Sequence, residues 1–237
     1  MTRKDDPLPT TSVPPSAVDE FLRQVAAMPA GADGGRGRLV FAMDATASRE
    51  RTWREASRIQ EDMFLETARL GGLDVQLVYY RGFSECKASR WLSDTDSLLA
   101  AMRKVDCAGG QTQIARVLRH TLKATGKHRV NALVFVGDCM EENVDELCAV
   151  AGELGLLGVP AFLFREGDDA AAAGAFAQIA RLTGGACCRF DASSPQQLKA
   201  LLGAVAVYAA GGRKALADYG RRHGGVVLQL TNQMKSG

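Results

Sequence analysis

From residue 38 onward, apolar runs of strand length alternate with amphipathic stretches of helical period, as a parallel sheet covered on both faces requires. The runs fall at residues 39–43, 75–80, 130–136, 159–164 and 186–190. Between Tyr80 and Ser84 stand only Arg81, Gly82 and Phe83, too few for a crossover helix. The segment 85–91 is therefore expected to return as an antiparallel strand at a sheet edge. Three helices each show one buried stripe: Ile114, Val117, Leu118 and Leu122; Val144, Leu147, Cys148, Ala151 and Leu154; Leu198, Leu201, Leu202 and Val205. Asn143 with Glu146 and Ser194 with Gln197 resemble capping boxes, and Pro195 takes the first helical position after Ser194. The expected class is α/β: a doubly wound, Rossmann-like, mostly parallel sheet with helices on both faces.

At 237 residues the chain has room for one domain with extensions, or at most two small ones. Five of the seven prolines (Pro7, Pro9, Pro14, Pro15 and Pro29) lie near the start, so residues 1–37 read as an arm. Within it Ser16 can cap a short amphipathic helix carrying Val18, Phe21, Leu22, Val25 and Met28, and the Gly-rich residues 31–37 act as a linker. The α/β domain is expected over 38–210. Residues 211–237 form a tail with a basic helix at 213–222 and an apolar stretch at 226–230.

Composition narrows the function classes. With 46% hydrophobic and 24% charged residues the chain is neither a disordered polymer nor an integral membrane protein. Its longest nearly uncharged apolar run, residues 201–210, falls well short of the ~20 residues that span a bilayer. A net charge of +2 is too small for binding to nucleic acid driven by counterion release, so neither nucleic acid nor membrane is expected as a partner. The first residues lead into acid and proline rather than an apolar segment, which argues against a secretory signal and for a cytoplasmic location. The six cysteines show no C-x-x-C spacing and read as packing residues rather than disulfides or zinc ligands. His120, His128 and His223 lack a ligand partner at helical spacing and read as surface or loop residues.

The chemistry gathers where the sheet changes its direction of growth. Right-handed crossovers place the first strand beside the one starting near Val130, and ligands bind in the crevice outside the carboxyl ends at such a point. The first strand ends in Asp44-Ala45-Thr46-Ala47-Ser48, and the Val130 strand ends in Gly137-Asp138. Thr112, just before the helix that starts at Ile114, should reach the same rim. Alternation along an extended loop puts Asp44, Thr46 and Ser48 on one side. Two carboxylates and three hydroxyls, with no well-placed His or Cys, select a hard ion: Mg²⁺, Mn²⁺ or Ca²⁺ rather than zinc or copper. Two negative charges balance one such ion, which leaves little to repel a carboxylate arriving from outside.

In that order and on those elements, Asp44-x-Thr46-x-Ser48, Thr112 and Asp138 resemble the metal-ion-dependent adhesion site (MIDAS) of von Willebrand factor A (VWA) domains. The resemblance covers roughly residues 38–210. It implies a six-stranded sheet of order 3-2-1-4-5-6 with strand 3 antiparallel. It also implies that Thr46 and Ser48 bind the ion directly, Thr112 directly or through water, and Asp44 and Asp138 largely through water. Thr46 keeps the hydroxyl of the family's usual Ser, Gln111 separates Gly109-Gly110 from Thr112, and Cys139 follows Asp138 where Gly is usual. Glu141 or Glu142 is placed to approach the ion as an auxiliary ligand. The function implied is a divalent-cation-dependent module that grips an acidic residue of a protein partner within an intracellular assembly. Such assemblies often contain an AAA-type ATPase or a chaperone.

Two other functions use the same residues. One is a metal-dependent hydrolase or phosphoryl-transfer enzyme with Asp138, Glu141 or Glu142 as general base. The other is a scaffold that keeps the fold without the metal. Haloacid-dehalogenase chemistry is disfavoured because Thr46 stands where its second carboxylate is needed, and no G-x-S-x-G elbow or Walker loop is present.

Overall fold

A computed structural model describes residues 36–50, 53, 72–190 and 195–223. The arm helix, the Ser194 cap and the apolar stretch at 226–230 lie outside the described residues. Among the described residues six strands form one sheet: β1 Gly37–Asp44, β2 Leu73–Arg81, β3 Glu85–Ala88, β4 Ala132–Gly137, β5 Ala161–Glu166 and β6 Ala186–Phe190. Their spatial order is β3-β2-β1-β4-β5-β6, and only β3 is antiparallel to its neighbour. This is the doubly wound order expected from the sequence.

The uninterrupted apolar runs follow from burial on both faces of the sheet. Leu39, Phe41 and Met43 of β1 point into one core with Val134 and Phe162. Val40 and Ala42 point into the other with Leu133, Phe135 and Leu163. Three helices cover that second face: α2 Ile114–Thr125, α3 Val144–Leu156 and α4 Ala170–Thr183. The first face is covered by α1 Thr95–Met102 and α5 Pro195–His223. Helix α5 breaks at Gly212, whose φ of 65° is left-handed, and beyond the break Ala215, Leu216 and Tyr219 are buried in the first core.

Some local details differ from the sequence reading. Strands β4 and β5 start about two residues later than their apolar runs, because Val130 and Val159 are buried before strand pairing begins. Helices α1 and α4 have no counterpart among the three stripes. Helix α4 opens on an alanine run, which carries little polar contrast, and its start is set by Asp169, whose side chain accepts the Ala172 amide at 2.5 Å. Asn143 does cap α3, accepting the amides of Asp145 and Glu146, but the Glu146 side chain pairs with Arg119 of α2 instead of closing a capping box. An ionic partner on the adjacent helix draws the carboxylate away from its own helix start. His120 lies on α2 and is half-buried, bonded through Nε2 to Gln76 Oε1 at 2.8 Å.

Candidate metal centre

Asp44 is the last residue of β1 and is fully buried. Its Oδ1 accepts the Thr46 amide at 2.7 Å, which turns the chain into the short 3-10 segment Ala47–Arg49. Its Oδ2 accepts the hydroxyl of Tyr80 at 3.0 Å, and Tyr80 is the register partner of Asp44 on β2. Burial raises the Asp44 carboxyl above its ordinary value, against the hydrogen bonds from Thr46. The same burial, together with Asp44, raises the Tyr80 phenol well above its ordinary value, so it stays a donor.

The turn carries the hydroxyls across to β4. Thr46 Oγ1 and Ser48 Oγ are 3.2 Å apart, and Ser48 Oγ donates to Asp138 Oδ2 at 2.9 Å. Asp138 Oδ1 is buried and has no hydrogen-bond partner among the described residues. A buried carboxylate oxygen without a donor is costly unless something positive reaches it. Asp44, Thr46, Ser48 and Asp138 are thus brought together as the sequence placed them. Their oxygen donors, with the orphaned Oδ1 among them, suit a divalent cation.

The remaining candidates are bonded differently. Thr112 Oγ1 accepts the Glu141 amide at 3.0 Å, while the Thr112 amide donates to Glu141 Oε2 at 3.1 Å. Glu142 accepts the amides of Ile114 and Ala115, the latter at 2.9 Å. Gln113, the residue at the start of α2, makes no side-chain cap, so the two glutamates from the β4–α3 loop satisfy the helix start from outside. Both oxygens of Glu142 and one of Glu141 accept backbone amides.

Four participants were not legible beforehand. Tyr80 is one, and only its register opposite Asp44 signals it. Arg49 is fully buried, pairs with Glu166 at the end of β5, and has Nε and Nη2 without a hydrogen-bond partner among the described residues. Burial lowers its pKa, while Asp138 and Asp44 pull it back up, so the guanidinium lies within the field of both carboxylates. Arg49 and Glu166 cancel as a pair, and Asp44 with Asp138 still present the two negative charges that match a divalent ion. The last is Cys139. Its sulfur and one oxygen each of Asp44 and Asp138 all lie within 4.8 Å of one another. The expectation of a site without a well-placed cysteine is overturned: the residue after a strand-end Asp turns its side chain with the loop, which sequence spacing does not reveal. Burial, with the charges of Asp138, Asp44 and Glu141, pushes the Cys139 thiol up to about 12.

No protein-family model matches the sequence, and no curated protein does. Solved structures match by shape. The chain resembles a von Willebrand factor type A protein from Catenulispora acidiphila at 13% identity and a TM-score of 0.57, over 71% of this chain and 42% of that one. It resembles the SpRpn10 VWA domain at 14% identity and a TM-score of 0.56, over 70% of this chain and 94% of that one. Proximal thread matrix protein 1 from the mussel byssus, with a zinc-occupied MIDAS motif, matches at 14% identity and a TM-score of 0.51, over 73% and 48%. The chain therefore has the VWA-like α/β fold, and it spans less than half the length of the first and third of these proteins. No helix among the described residues is long and apolar enough to cross a membrane.

Proposed function

We propose that this chain is a protein-binding module that holds a divalent cation at the carboxyl edge of its sheet and uses it to grip a carboxylate of a partner. The observation that carries this reading is the hydrogen-bonded group Asp44, Thr46, Ser48 and Asp138, with Asp138 Oδ1 buried and unpartnered among the described residues. The likeness to a protein whose MIDAS holds zinc supports a metal at the equivalent edge. These four residues would hold the ion, and Thr112 would join them through the part of its hydroxyl that Glu141 leaves free. A bound divalent ion supplies a coordination position open to an external oxygen. Ser48 is exposed, which gives a partner access, and the paired charges of Arg49 and Glu166 leave the loaded site without excess negative charge.

Glu142 turns both carboxylate oxygens onto amides at the start of α2 and is not free as a general base, which favours a binding role over hydrolysis. Phe83, 78% exposed on the β2–β3 turn, offers an apolar contact near the rim, since Gly82 O accepts the Gln111 amide and ties that turn to the loop bearing Thr112. The partner is a protein with an acidic residue beside an apolar one. An AAA-type ATPase or a chaperone in an intracellular assembly follows from the family resemblance alone. Calorimetric titration with Mg²⁺, Mn²⁺, Ca²⁺ and Zn²⁺ tests the reading: heat of binding in the wild type and none in Asp44→Ala supports it, and a silent wild type sinks it. Partner capture that survives both chelator and Asp44→Ala would make the chain a metal-independent scaffold instead.

A further inference from the structure

We infer that Cys139 is a direct ligand in this centre and that its sulfur turns the site's preference from hard ions toward thiophilic ones of the Zn²⁺ and Co²⁺ class. This rests on the metal-binding reading above and changes which ion the site selects. The geometry is the ground for it. Two donors on one ion, at about 2.3 Å for sulfur and about 2.1 Å for oxygen, stand at most about 4.4 Å apart. Cys139 Sγ and the nearest oxygens of Asp44 and Asp138 all fall within 4.8 Å of one another, so little movement brings all three onto a common centre. Asp138, itself one of the three, has its Oδ1 buried and without a hydrogen-bond partner among the described residues, which leaves a donor open to a cation.

Chemistry then selects the ion. Mg²⁺ and Ca²⁺ gain nothing from sulfur, whereas Zn²⁺ and Co²⁺ bind thiolate and carboxylate together. A metal–thiolate bond adds a covalent attraction beyond the charge pairing with the two aspartates, so the thiophilic ions are favoured further. On binding, the metal–sulfur bond forms, the S–H bond breaks, and the proton passes to the buffer; no oxidation is involved.

Co²⁺ titration of the full chain, followed in the near ultraviolet where thiolate-to-cobalt charge transfer absorbs, tests this directly. The wild type should develop the band, Zn²⁺ should displace it, and excess Mg²⁺ should not. Cys139→Ser, nearly isosteric and at a half-exposed position, should lose the band and bind Zn²⁺ at least about tenfold more weakly, since even outer-shell partners are worth that much. Its Mg²⁺ affinity should not fall, since sulfur gives that ion nothing, and a thermal melt confirms that the variant is folded. Calorimetric Co²⁺ binding without the band, or a band that survives in Cys139→Ser, overturns the sulfur ligand while the metal site stands. No binding of any ion overturns both.

Discussion

The two halves of the carboxyl edge both carry carboxylates and a hydroxyl and end in opposite states. On the β1 side, Asp44, Ser48, Arg49 and Asp138 form a group that retains an orphaned carboxylate oxygen and unpartnered guanidinium nitrogens among the described residues. On the α2 side, the Thr112 hydroxyl and the Glu141 and Glu142 carboxylates accept four backbone amides, those of Thr112, Ile114, Ala115 and Glu141. Buried polar groups are normally satisfied, so a native cluster that leaves some unsatisfied marks the place where something else belongs. Acidic residues alone do not distinguish a ligand site from a helix cap; their partners do.

Substitutions on the two sides should separate cleanly. Asp138→Asn should weaken divalent-ion binding by about a hundredfold in calorimetry, at the upper end of what outer-shell changes cause, with little loss of thermal stability. Equal binding by this variant would erase the distinction between the halves. Glu142→Ala should do the reverse, costing about 1–2 kcal/mol in denaturant unfolding because two amides at the start of α2 lose their acceptor, with ion affinity unchanged. Thr112→Val sharpens the boundary. The hydroxyl that would join the ion also receives the Glu141 amide, so the variant should lose about 1 kcal/mol of stability and some ion affinity; unchanged affinity leaves Thr112 as a partner of Glu141 alone.

The smallest effect concerns a satisfied polar pair away from the edge. Burial lowers the His120 pKa below its ordinary 6.5, and Lys123 adds to the fall. The neutral ring is therefore the form the fold prefers. Its stabilising contribution is complete above the ordinary value and is lost as pH falls through the lowered folded value. Melting temperatures from pH 7 to pH 5 should decline more gently in His120→Gln than in the wild type. Parallel curves would mean that His120 does not sense the burial seen here.

Much of this protein was legible in its residues. Strand-length apolar runs required burial on both faces, and the three-residue link Arg81-Gly82-Phe83 forced an antiparallel edge, while the full strand order was implied by the family resemblance. Asp44, Thr46, Ser48 and Asp138 were placed together because strand ends at a reversal of sheet growth must be neighbours. Those features depend on periodicity and chain connectivity, which are local properties of a sequence. Only the tertiary structure decided that Glu141 and Glu142 cap α2, that Arg49 is buried against Glu166, and that the Cys139 sulfur stands beside two carboxylates. Each depends on where a side chain points once separate loops have packed together, and neither residue type nor spacing carries that direction.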